Sequence, residues 1–210
     1  MSRNPWHFVH LSDPQFGMFE PGRTEYYETP LVAQAIERVN ALRPAFVLCT
    51  GDLVDIPRSD AQMDHARSML ATLDPDIVFL PVPGNHDIGD EPTAEDLAWY
   101  RGAVGRDRFS FNHRGWHFTG INSCLLADGR AVADEVEAQW AWLEEDLARP
   151  AAARAEATVL FMHHPPFLEE GAEDDGYFNL PREPRSRLVD LLRRHDVRLL
   201  LCGHLHRSHQ

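Results

Sequence analysis

No apolar run in the 210-residue chain approaches the ~20 residues that a membrane-spanning helix needs. The opening stretch, MSRNPWHF, has no apolar signal-peptide core. The sequence therefore reads as cytoplasmic, with no membrane partner. Cysteine is scarce. Cys49, Cys124 and Cys202 are an odd set without CxxC spacing, each in or beside an apolar run, and they read as buried reduced thiols. Positive charge is also short. A net charge of −13 argues against a nucleic-acid partner, because a phosphate-backbone binder needs clustered Lys and Arg to displace counterions. It does not argue against a small phosphorylated substrate, since metal ions can supply local positive charge. Apolar residues at 43% and charged residues at 25% match an ordinary globular chain. The length suits one domain, residues 1–210, large enough to need no disulfide staples.

What the chain does have is alternation. WHFVHL (6–11), AFVLCT (45–50), DIVFLPV (76–82), ATVLFM (157–162) and VRLLLC (197–202) read as strands. Helical patterns lie between them. PLVAQAIERVNALR (30–43) spaces Leu31, Ala35, Val39 and Leu42 as a helical stripe, with Thr29 as N-cap and Pro30 at the first helical position. Segments 59–73, 93–104, 134–149 and 182–195 read as further helices, with Thr93 opening the second of these. Two alternating runs around HRG (108–123) predict a β-hairpin. The fold class is therefore α/β: a mainly parallel sheet covered by helices, with the hairpin adding a second sheet or a mixed edge. EEGAEDDGYFNLP (169–181) is an acidic loop within the same unit.

Each strand is followed by residues that bind metals. Asp13 and Gln15 follow the first, Asp52 the second, and Asn85, His86 and Asp87 the third. His163 and His164 follow 157–162, and His204 and His206 follow 197–202. Ligands in open α/β sheets gather at the carboxyl ends of the strands, so these distant residues should meet. Carboxylate oxygen with imidazole nitrogen suits Mn²⁺, Fe or Zn²⁺ better than Ca²⁺. A carboxylate shared by two ions would place between them a water acidic enough to act as a nucleophile near neutral pH. Gly51, Gly84 and Gly203 each precede a candidate ligand, where the backbone must turn and approach closely.

In order, SDPQ, GDLVD, GNHD, HHPP and GHLH resemble the motif set of the calcineurin-like metallophosphoesterase superfamily, over nearly the whole chain. DPQFG, GNHDIGDEPTAE, FSF and FLEEGAEDDGYFNL look like its branch of calcineurin-like phosphoesterase domain-containing proteins. The resemblance implies an α-β-β-α sandwich with mixed sheets and a phosphomonoesterase of the protein serine/threonine phosphatase type. It implies two divalent metal ions: Asp13 and His206 on the first, Asp52 bridging, and Asn85, His163 and His204 on the second. His86, backed by Asp87, would face the phosphate and help the leaving oxygen depart. Asn85, His86, His164, Tyr177, Phe178 and Asn179 are the expected substrate contacts.

Two departures stand out. The wider superfamily has His where this chain has Gln15, which predicts a weaker first metal site favouring Mn²⁺ or Mg²⁺. The chain also stops four residues after His206, where family members continue with strands of the second sheet. That predicts a shortened chain, or a partner that supplies the missing packing. Asp55 is expected to shape a turn or orient a ligand, and His10 to sit in the core or to support a ligand from behind. His7, His65, His113, His117, His195 and His209 read as surface or satisfied polar residues. Two other functions compete: a phosphodiesterase on cyclic nucleotides or glycerophosphodiesters, and an inactive metal-binding or scaffold module.

Overall fold

The computed structural model describes residues 5–19 and 26–207; His209 lies outside them. Two sheets carry the architecture. The first orders β1 (Val9–Leu11), β2 (Phe46–Cys49) and β3 (Val78–Pro81), all parallel. The second orders β4 (Phe109–His113), β5 (Trp116–Gly120), β6 (Ala157–Phe161) and β7 (Leu199–Leu201). β4 and β5 form the expected antiparallel hairpin, with His113 opposite Trp116, while β5, β6 and β7 run parallel. The hairpin thus makes the second sheet mixed.

Alternation along the strands decides the layers. Phe46 and Leu48 of β2 pack with Phe118, Val159 and Phe161 of the second sheet, joining the two sheets face to face. Phe46 and Phe118 meet at 5.1 Å between ring centroids, nearly edge to face, the geometry that aromatic quadrupoles prefer. The intervening residues point the other way. Val47 packs on Val39 of α1 (Thr29–Leu42), and Cys49 on Met63 and Ala66 of α2 (Asp60–Leu70). Leu160 of β6 packs under α6 (Ala133–Ala148) and α8 (Arg182–Arg194) through Trp140, Leu143 and Leu188. Strands buried on both faces read as mainly apolar runs, as β2 and β6 do, with Thr158 the one polar residue in them. The result is an α-β-β-α sandwich.

Several local expectations change. Glu28, not Thr29, is the N-cap residue of α1, and it caps by backbone only. Its carboxylate instead accepts from Gly17 N and Phe19 N, and the Thr29 hydroxyl pairs with His65. The stripe that α1 buries is Ile36 and Val39, while Leu31 and Leu42 are exposed. A helix laid against a three-stranded sheet covers a narrower face than the spacing offered. Four short elements lacked a periodic signal: α3 (Asn85–Ile88), α5 (Cys124–Asp128), a 3₁₀ turn at Arg130–Val132 and α7 (Pro150–Ala153). The expected start at Thr93 holds. Its hydroxyl accepts from Asp96 N and Asp96 accepts from Thr93 N, a reciprocal cap on α4 (Ala94–Ala103).

Candidate metal centre

Backbone bonds draw the loops after the strands together. Asp13 N donates to Gly51 O and Gln15 N to Asp52 O, tying the loops that follow β1 and β2. Gly203 N donates to His163 O, tying those after β6 and β7. His204 N donates to the Asp13 carboxylate at 3.1 Å, which joins the two sheets at one rim. A side chain at Gly203 would collide with Ser12 and Asp13, and Gly51 has φ +97°. Glycine is required at both.

Two ligand sets result. In the first, Asp13, Asp52 and His206 offer atoms that all lie within 4.8 Å of one another. Gln15 Oε1 is buried and has no hydrogen-bond partner, while its Nε2 donates to Asp55 Oδ1 at 3.2 Å. In the second set, His163 Nε2 lies 3.0 Å from Asn85 Oδ1, 3.1 Å from His204 Nδ1 and 3.2 Å from Asp52 Oδ2. One imidazole nitrogen cannot satisfy three electron-rich atoms. Asp52 Oδ2, despite that near approach, has no hydrogen bond. The outer ring nitrogens are already committed: His163 Nδ1 donates to Thr50 O at 2.7 Å and His204 Nε2 to Tyr177 O at 2.9 Å. Backbone carbonyls fix ligating imidazoles in this way, turning the other nitrogen inward.

The electrostatics show the same need for a cation. Burial lowers the His163 pKa, but the Asp52 and Asp13 charges overcome it and hold it at about 9. Burial raises the Asp52 pKa, but the charges of His163 and His86 bring it below the usual value. The chain thus seeks a positive charge between these residues, and divalent cations fit the donor set. His164 differs. Burial and the neighbouring His163 and His204 push its pKa well down, and its Nδ1 is bonded to Ser123 Oγ at 3.0 Å.

The backbone is strained at the same residues. Asp13, Gln15, Asp52, His204 and His206, five of the seven expected ligands, have φ between +38° and +71°. Each costs on the order of 1–2 kcal/mol for a residue with a Cβ. No sequence signal announced this.

The expected His86–Asp87 pairing is not what the fold builds. Asp87 is fully buried, and its oxygens accept from the backbone N–H groups of Asp52, Leu53, Val54 and Gly84. Burial and the Asp52 charge push its pKa up to about 7 against those donors. Its work is to shape the GDLVD turn. The His86 ring turns to Asp55 instead, with Nδ1 2.7 Å from Asp55 O and 3.4 Å from Asp55 Oδ1. Asp55 therefore orients both Gln15 and His86. His10 pairs with Thr50 Oγ1. Of the loop residues, Tyr177 reaches the centre, with its hydroxyl 3.1 Å from Asn85 Nδ2. Asn179 is turned inward, bonding Glu173, the Asp174 carbonyl and Gly176 N within its own loop. Ser123, which accepts from the N–H groups of His163 and His164, and Asp90, which accepts from Asn85, carried no motif.

The calcineurin-like phosphoesterase family profile matches residues 7–208. The serine/threonine-protein phosphatase CPPED1 of Rattus norvegicus is 36% identical over 97% of this chain and 70% of its own length. Among solved structures, the purple acid phosphatase PPD1 of yellow lupin superposes with a TM-score of 0.70 at 15% identity, covering 96% of this chain and 38% of that one. A dimetal phosphatase from Danio rerio gives 0.66 at 13% identity, covering 95% and 81%. At those identities the structures show the fold, and the sequence match shows the rest: the chain belongs to the calcineurin-like phosphoesterase family.

Proposed function

We propose that this phosphoesterase is a phosphomonoesterase acting on phosphoserine or phosphothreonine in proteins. The observation that carries hydrolysis is the buried Asp52 Oδ2, which has no hydrogen bond, belongs to the set with Asp13 and His206, and lies 3.2 Å from His163 of the other. The substrate class rests on the 36% identity to the rat serine/threonine phosphatase. When bound, a pair of divalent cations supplies Lewis acidity and a water acidic enough to attack near neutral pH. Asp13, Gln15 and His206 would hold one ion, Asn85, His163 and His204 the other, with Asp52 between. We assign Mn²⁺, Fe or Zn²⁺ to these positions from donor type, with Mg²⁺ admissible at the oxygen-rich first site. Free Cys49, Cys124 and Cys202 support a reducing, cytoplasmic setting.

The chain's own residues do the rest. Asp55 fixes His86 through Nδ1, leaving the other ring nitrogen of this partly exposed side chain to deliver a proton. A serine alkoxide leaves poorly without one, whereas nitrophenolate leaves unaided. The experiment follows from that difference. Chelator-stripped protein with Mn²⁺ added back is assayed on a phosphoserine peptide, nitrophenyl phosphate and bis-nitrophenyl phosphate. The monoesters should turn over faster than the diester. His86→Ala should lose about 10²–10⁴-fold on the peptide and under about tenfold on nitrophenyl phosphate. Equal losses on both would remove His86 as the proton donor, and diester preference would overturn the monoester reading.

A further inference from the structure

We propose that Tyr177 grips the phosphoryl oxygens of the substrate, presented by a loop that the buried Arg185 guanidinium anchors. The inference rests on the phosphoesterase reading above. A phosphomonoester dianion needs hydrogen-bond donors beyond the cations, and Arg or Lys are the usual ones. This chain contains no lysine. Three arginines that flank the motifs or the acidic loop are engaged elsewhere, while Arg207, beside His206, is exposed. Arg58 pairs with Glu95 and Asp96, and Arg182 lies 3.5 Å from Asp174. Arg185 is fully buried beneath the acidic loop.

Tyr177 offers a further donor. Its phenol oxygen accepts from Asn85 Nδ2 at 3.1 Å, so its own proton points elsewhere, and no acceptor for it occurs among the described residues. The ring packs on His204 with centroids 4.9 Å apart, and the residue is 57% exposed. An unspent O–H donor therefore stands on the solvent side of Asn85 and His204. Its carbonyl also holds His204 Nε2, so the side chain and backbone of one residue touch two expected ligands.

The loop is built to hold it there. Arg185 donates from Nε to Leu180 O at 3.1 Å, from one terminal nitrogen to Glu173 O at 2.8 Å, and from the other to Asp175 Oδ1 at 2.7 Å. Burying a whole guanidinium is costly unless its hydrogen bonds are met, and here all of the named ones go to one surface loop. Asn179 adds three bonds within the same loop. A donor with two side-chain torsions, pinned on both sides, binds with little ordering cost.

The probe is inorganic phosphate, titrated calorimetrically into the Mn²⁺-loaded full chain. Tyr177→Phe removes only the hydroxyl. Phosphate affinity should fall about tenfold, the scale of one hydrogen bond to a charged group. Mn²⁺ affinity and melting temperature should not move. With a phosphoserine peptide, KM should rise by the same factor and kcat stay within about twofold. Arg185→Lys keeps the charge and loses the fork. It should weaken phosphate binding similarly and speed cleavage of the loop by a glutamate-specific protease. Unchanged phosphate affinity in Tyr177→Phe overturns the proposal. So does a parallel loss of Mn²⁺ affinity, which would make Tyr177 a support for Asn85 and His204 only. A wild-type protein that binds phosphate but spares phosphoserine peptides would sink the serine/threonine reading instead, and the calorimetric comparison would still decide the role of Tyr177.

Discussion

His117 and Asp146 lie between the second sheet and α6 with their polar atoms engaged; His163 and Asp52 lie at the rim with a carboxylate oxygen left without a hydrogen bond. The closest ring-to-carboxylate distances are similar, 2.9 Å and 3.2 Å. Burial is similar too. What differs is completeness. His117 Nδ1 meets Asn112 Oδ1, its Nε2 meets Asp146 Oδ2, and Ser110 and Thr119 donate to the remaining Asp146 positions. Asp52 keeps an oxygen with no hydrogen bond, and a nearby glutamine does the same. The backbone follows suit: positive φ occurs at Asp52 and not at His117 or Asp146. A buried histidine–aspartate contact is therefore no sign of a metal centre by itself. An incomplete one on a strained backbone is.

The largest effect that would test this contrast is on the rim. Asp52→Asn should cut Mn²⁺-dependent turnover by at least about 10²–10³-fold, yet destabilise the metal-free protein by less than Asp146→Asn does. The Mn²⁺-induced rise in melting temperature should disappear with it. A metal-free protein markedly destabilised by Asp52→Asn would break the comparison, since the rim pair would then be structural.

Asp146→Asn should do the reverse. It should destabilise the protein by about 3 kcal/mol whether or not metal is present, by breaking a buried pair. Acid should reveal the same residue. Burial raises its pKa, but the His117, Ser110 and Thr119 bonds bring the net value below 3.8. Its contribution is therefore full above the unfolded value and lost as pH falls through the lower folded one. Urea midpoints between pH 5 and 2.5 should fall more steeply for wild type than for Asp146→Asn; parallel curves would show the pair to be idle.

The smallest effect is expected at Gln15. Imidazole is a better ligand than amide oxygen, so Gln15→His should tighten the weaker of two Mn²⁺ or Zn²⁺ binding steps by about tenfold, the scale of one altered ligand environment. Two binding steps that both stay unchanged would mean Gln15 Oε1 does not face an ion.

Much of this was legible in the sequence. β2 and β6 are legible because a strand buried on both faces is mainly apolar, and the motifs sit at strand ends because only there does a parallel sheet expose side chains to a common point. Three kinds of information were not legible. The stripe that α1 buries depends on the width of its partner sheet, so Leu31 and Leu42 misled. The roles of Asp55 and Asp87 depend on which way a turn faces, and adjacent letters suggested the wrong pair. Tyr177 could be named from the loop's likeness, but Arg185 beneath it lies in an ordinary amphipathic pattern.

The left-handed residues at the rim carry one more implication. Five of them together hold back a free energy comparable with the ~5–15 kcal/mol net stability of a typical folded protein. Such residues persist only while the surrounding structure over-determines them. Here the bonds that do so are those between the rim loops and the four N–H groups that Asp87 gathers. Asp87 is thus a keystone: it touches none of the ions' expected ligands through its side chain except the Asp52 N–H, yet the shape of the rim depends on it.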